Sequence, residues 1–236
     1  MPRWRGFGYS GLGTEHARLE LPNQDAFDLR HYAVGDLAVV CDGLGSKPHS
    51  ELGSRMACRA ARDAFRYWGK LAQSPPLAFI SLLHTMWNMR VLPHDPRDCA
   101  STCLCVALSG GRMVIAQLGD GLIARVRPDG SSVLCTPERE GFANETASLG
   151  GSVSAADWVL TDEDEPEPGS CIIAATDGFS EIMNTTHLTE ICHWLRDDIG
   201  PLDTRSRKKA LDKEFGALSN AQRGDDHTFV LLWRST

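Results

Sequence analysis

The sequence predicts an α+β fold in which a largely antiparallel β-sheet carries helices, and three observations predict it. Short apolar runs of strand length recur along the chain, separated by glycine-containing turns. Longer stretches repeat their apolar residues at helical spacing. No low-complexity linker or long internal repeat interrupts them, so the 236 residues read as a single domain, 1–236.

The elements follow in order. Phe7–Ser10, Ala26–Leu29 and Leu37–Cys41 are expected strands, the last an almost unbroken apolar run suited to burial on both faces. A helix should follow, with Ser50 as its cap, Glu51 in its first turn, and Leu52, Met56, Ala60, Ala64 and Trp68 on one face as far as Gly69. Pro75-Pro76 breaks the chain before a second helix, Leu77–Met89. Ser101–Leu108, Met113–Leu118, Leu122–Val126 and Val133–Cys135 then read as strands joined by glycine turns, an antiparallel meander. The acidic run Asp162–Glu167 reads as a solvated loop. Cys171–Thr176 is a buried strand, Leu188–Arg196 and Leu202–Leu218 are helices, and Thr228–Trp233 is the closing strand. The cluster Arg205, Arg207, Lys208 and Lys209 reads as a wet helix face, because no aromatic residue is interleaved to stack on bases.

Charge and composition narrow the function. With 24 Lys+Arg against 31 Asp+Glu the formal net charge is -7, which opposes a main affinity for nucleic acid or anionic membrane and favours a cation partner. No run approaches the roughly 18 apolar residues of a membrane span, and no apolar segment follows the N-terminal arginines as in a secretory signal. A cytoplasmic protein is the expectation. The eight cysteines form no CxxC pair and are expected to be reduced, buried thiols.

Three apolar strands end in Asp-Gly: at Asp42-Gly43, at Asp120-Gly121 and at Asp177-Gly178. A strand end holds a carboxylate rigidly, and the glycine lets the backbone turn beside whatever the carboxylate binds. Asp25, in Asn23-Gln24-Asp25, and Asp225, in Gly224-Asp225-Asp226, flank two further strands. Asp129-Gly130, after Pro128, reads as a plain turn. Carboxylates gathered at one place repel each other unless cations join them. All-oxygen donors suit hard ions, Mn²⁺ or Mg²⁺, and two such ions on shared carboxylates form the usual arrangement for in-line attack on phosphorus.

In this order, NQD, CDGLGSKPHSELGS, CASTCL, LGDG, ATDGFSE and GDDHTFVLL resemble the metal-dependent protein phosphatases of the PPM/PP2C type, from about His16 to Leu232. His16 with Leu21-Pro22-Asn23-Gln24-Asp25 is similar to a bacterial branch whose members often act opposite a Ser/Thr kinase. The resemblance implies an αββα sandwich of two antiparallel sheets flanked by helices. It implies that Asp42 bridges two metals, that the Gly43 carbonyl completes the first site, that Asp177 and Asp225 hold the second ion, and that Asp25 supports the pair. Asp120 matches the ligand of a third, weaker metal. Gly121 stands where the family usually has serine, Gln24 where many members have Glu, and Leu44 where the eukaryotic branch has a histidine. His16 is then a candidate proton donor to the leaving group, or else a structural histidine. The family's phosphate-binding arginine falls at Glu20, leaving that role vacant or to Arg18. The region 137–169 is shorter than the mobile flap of many bacterial relatives, and Phe142–Gly151 is expected to form a reduced version.

The expected function is hydrolysis of phosphoserine and phosphothreonine in proteins phosphorylated by a cognate kinase, by a monomeric enzyme. The alternative is a catalytically silent module that binds a phosphorylated partner. A two-metal nuclease would use similar ligands but calls for a basic surface, and the absence of a GxxxxGK[ST] loop removes nucleotide-driven chemistry.

Overall fold

The computed structural model describes residues 3–71, 74–136, 147–182, 185–222 and 224–236. Among the described residues ten strands form two five-stranded sheets. One carries β1 (Trp4–Gly11), β10 (His227–Arg234), β9 (Cys171–Ala175), β6 (Leu122–Val126) and β7 (Ser132–Leu134), in that order. The other carries β2 (Asp25–Tyr32), β3 (Gly35–Asp42), β4 (Cys103–Ser109), β5 (Arg112–Leu118) and β8 (Val159–Asp164). Every pairing is antiparallel.

The alternation of side chains explains the unbroken apolar strands. Ala38 and Val40 of β3 face the other sheet and pack with Leu104, Ile115, Ile172, Val230 and their neighbours. Leu37, Val39 and Cys41 face outward, under α2 (Ser50–Trp68) and α3 (Pro76–Val91). On the other sheet Phe7, Ile173, Phe229 and Leu231 face α4 (Asp177–Ile182), α5 (Leu188–Trp194) and α6 (Thr204–Gln222). Strands covered on both faces have no reason to alternate polar residues. The result is an αββα sandwich.

Several expectations change. His49, not Ser50, is the N-cap residue of α2, and no side chain caps it; Ser50 is instead buried in the first turn. The meander is broken: β5 and β6 lie in different sheets, so the chain crosses the sandwich between them at Gly119–Gly121. The acidic run is not wholly loop, because Asp162, Glu163 and Asp164 pair with β5 as an edge strand. Arg112 and Arg125 hold Asp162 and Glu163 in ion pairs there. A five-residue helix, α1 (Thr14–Arg18), was not anticipated. Arg207 does not belong to a wet face: it donates to the carbonyls of Gly200 and Leu202, both at 2.8 Å, and lies over the Phe7 ring. Seven of the eight cysteines are buried and all are free thiols, as expected. Among the described residues no helix is long and apolar enough to cross a membrane.

Candidate active site

Antiparallel pairing brings the strand-end aspartates to one end of the sandwich. Asp25 opens β2 and Asp42 closes β3, and the two are direct cross-strand partners. Asp177 starts α4 immediately beyond the end of β9, and Asp225 lies just before β10, which pairs with β9. Asp120 sits in the crossover between the sheets. Asp25, Asp177 and Asp225 each push electrostatically on Asp42, and Asp225 and Asp120 push on Asp177, which links the five carboxylates into one electrostatically coupled chain.

Their protonation records the crowding. Burial raises the Asp42 carboxyl to about 10, reinforced by the charges of Asp25, Asp177 and Asp225. Burial likewise lifts Asp25 to about 7, against the opposing hydrogen bonds of Thr228 and Thr176, with Asp226 adding to the rise. Asp177 opens to solvent as a residue, yet atoms crowding its carboxylate still raise its pKa, before any contribution from Asp225 and Asp120. Among the described residues no Lys or Arg forms an ion pair with Asp25, Asp42 or Asp177.

Hydrogen bonding leaves oxygens free in a pattern that suits a hard cation. Asp25 Oδ2 accepts from Thr176 Oγ1 at 2.9 Å, while Asp25 Oδ1 is buried without a partner. Asp177 and Asp225 each give one oxygen to the next residue's amide, at 2.8 and 2.7 Å. Gly43 meets Ser101 in an isolated bridge whose hydrogen bonds run through Leu44 and Thr102, so its own carbonyl accepts none of them. A side chain at 43 would strike the Ser50 carbonyl, which accounts for the glycine. These donors fit Mn²⁺ or Mg²⁺.

The loop holding Asp120 explains one departure from the family pattern. Gly121 has φ +125°, and a Cβ there would lie 2.7 Å from the Ala175 carbonyl, so serine does not fit. Buried Gln117 donates to the Gly119 and Gly121 carbonyls at 3.2 and 3.3 Å and accepts from Thr136 at 2.8 Å. Its signal was a polar residue inside an apolar strand. Gln24 is buried with Oε1 unpartnered.

Asp226 was overlooked beside Asp225. Its side chain is 2% exposed against 61% for Asp225. It accepts from Gly13 N at 2.8 Å, Gln24 N at 2.6 Å and His16 Nδ1 at 2.8 Å, joining α1, β2 and β10. Among the described residues the one group of three metal-ligand side chains within 4.8 Å of one another is His16, Asp225 and Asp226, and there the oxygens of Asp226 are taken by donors. Because a carboxylate only accepts, His16 carries its hydrogen on Nδ1. The doublet Asp-Asp was the available signal. Arg18 is exposed and forks onto Glu15 at 3.0 and 2.5 Å, turned to its own helix. Of the expected flap, residues 137–146 lie outside the described residues; Leu149 beyond them bridges Ser101.

An αββα sandwich with an acidic centre at the mouth between its sheets defines a narrow class. The family profile described as "Protein phosphatase 2C" matches residues 12–215, and the chain belongs to that family. No curated protein sequence matches. Among solved structures, the catalytic domain of the serine/threonine phosphatase PstP in complex with two manganese ions is similar at TM-score 0.68 and 16% identity, over 100% of both chains. PppA, titled a key regulatory component of T6SS in Pseudomonas aeruginosa, gives 0.65 and 20% over 98% of each. RsbX in complex with magnesium gives 0.62 and 15% over 100% of each. At these identities the likeness is one of fold.

Proposed function

We propose that the protein is a Mn²⁺- or Mg²⁺-dependent protein-serine/threonine phosphatase, acting on phosphoserine and phosphothreonine left by a cognate kinase. The observation that carries this is the electrostatic crowding of Asp42 by Asp25, Asp177 and Asp225 and of Asp177 by Asp225 and Asp120, with a buried Asp25 oxygen lacking any partner. Asp42 with the Gly43 carbonyl would hold one ion, Asp177 and Asp225 a second, Asp25 would support both, and Asp120 would hold a weaker third. Bound there, such ions supply Lewis acidity toward phosphate oxygens and an activated water. Manganese and magnesium in the PstP and RsbX structures support the choice of metal.

The chain's own residues set the geometry. Thr176 fixes one oxygen of Asp25 and leaves the other, buried, without a protein partner. Asp226 fixes the His16 ring through Nδ1, leaving Nε2 as the nitrogen through which His16 exchanges a proton with the leaving oxygen. A silent binding module has no physical reason to keep buried carboxylates that repel each other. Cytoplasmic location and a monomeric state complete the reading.

Hydrolysis of p-nitrophenyl phosphate and phosphopeptides with Mn²⁺ tests it. Activity should disappear with chelator and in Asp177→Ala. No turnover of either substrate in saturating Mn²⁺ would instead favour the silent module.

A further inference from the structure

A groove of about 880 Å³ is lined by Leu44, Ser46 and Lys47, which follow Asp42-Gly43 in the chain, and by Ser148 and Ser152. That volume lies in the upper part of the range for small-ligand sites, about 300–1,000 Å³. Both lining segments are tied to the backbone around Asp42. Leu44 N donates to Ala100 O at 3.0 Å, Ser101 and Leu149 exchange amide hydrogen bonds at 3.1 and 2.8 Å, and Ser101 Oγ donates to Asp42 O at 2.9 Å.

The charges of the groove are unevenly satisfied. Arg97 lies along Asp95, with a closest approach of 2.7 Å, and Asp157 accepts from Ser154 N and Oγ at 2.7 and 2.8 Å. Lys47, half-buried, has no carboxylate within ion-pair distance among the described residues. An unneutralised ammonium beside an acidic centre attracts an anionic group and keeps it off the neighbouring carboxylates.

Resting on the phosphatase reading, we propose that this groove holds the polypeptide flanking the phosphorylated residue, and that Lys47 selects an anionic side chain in that flank. A carboxylate and a second phosphate share the required chemistry. Ser46, Ser148 and Ser152 offer hydroxyls to the peptide backbone on either side.

The experiment compares phosphopeptides identical except for Glu, phosphoserine, Gln or Lys at successive flanking positions. Turnover is measured with Mn²⁺, and binding of fluorescent, non-hydrolysable phosphonate versions is followed by anisotropy. At one position, Glu should exceed Gln by about three- to fivefold in kcat/KM, and phosphoserine should exceed Glu if a second phosphate is the preferred anion. The Glu-to-Gln ratio should fall to near one in Lys47→Ala, invert toward Lys in Lys47→Glu, and persist in Arg97→Ala. Absence of any preference in the unaltered protein, its survival in Lys47→Glu, or its loss in Arg97→Ala overturns the proposal. Phosphonate binding with a Lys47-dependent order but no turnover sinks the phosphatase reading and leaves the groove standing. Turnover without a flank preference does the reverse.

Discussion

Replacing Asp226 with alanine should destabilise the protein more than any other single change among its clustered acids. Three donors converge on its carboxylate, Gly13 N, Gln24 N and His16 Nδ1, at 2.6 to 2.8 Å and in a site that excludes water. A hydrogen bond to a charged group is worth roughly 1.5–3 kcal/mol, and buried donors left without an acceptor keep their desolvation penalty. Breaking a buried charged network by deleting one member typically costs about 3–5 kcal/mol, so about 4 kcal/mol is expected. At roughly 2–4 °C per kcal/mol for a chain of this length, Tm should drop by about 10 °C. Circular dichroism melts and urea unfolding, both in chelator, read the loss without interference from metal binding. Asp225→Ala is the matched control: its side chain is 61% exposed, and its removal relieves repulsion on Asp42 and Asp177. Asp225→Ala should melt no lower than the unaltered protein. A Tm for Asp226→Ala within about 2 °C of the unaltered protein, or equal to that of Asp225→Ala, would refute the network.

Two further outcomes follow from the site and the core. Folding lifts Asp25 to about 7 and Asp42 to about 10, above the roughly 3.9 of an exposed aspartate. Above pH 4 the folded chain therefore holds protons that the unfolded chain has released, and stability in chelator falls as pH rises, for Asp25 until about 7. Mn²⁺ or Mg²⁺ binds the ionised form and should flatten this decline between pH 5 and 8; a chelated Tm that stays level or climbs over that window would contradict the unpaired acids. Among the eight thiols only Cys135 is not buried, and burial of its sulfur still pushes its pKa to about 11. Ellman's reagent should label at most one thiol, slowly, in the native protein and all eight in guanidinium; rapid labelling of several would contradict the packed core.

The strands were legible where burial on both faces leaves a run such as Leu37–Cys41 without polar interruption, and there the reading differs from the structure only at the ends. The edge strand β8 was hidden by its own chemistry. Asp162, Glu163 and Asp164 lie at a sheet margin, where charges stay in water and discourage further pairing. The crossover at Gly119–Gly121 looked like one more hairpin turn, because local sequence records a reversal but not which sheet receives the next strand. Three candidate ligands, Asp42, Asp120 and Asp177, were read from the Asp-Gly pattern at strand ends, and Asp25 and Asp225 from acids flanking two further strands. The groups that hold them in place were missed: Gln117, Thr176 and Asp226 act through contacts with residues far away in the chain.

The acidic centre straddles the seam of the sandwich. Asp25 and Asp42 belong to one sheet, Asp177 and Asp225 to the margin of the other, and Thr176 with Asp226 reaches across from the second sheet to the first. Neither sheet by itself owns the full set of candidate ligands. The set of four is therefore a property of the docked sandwich: either sheet alone presents only two of these acids.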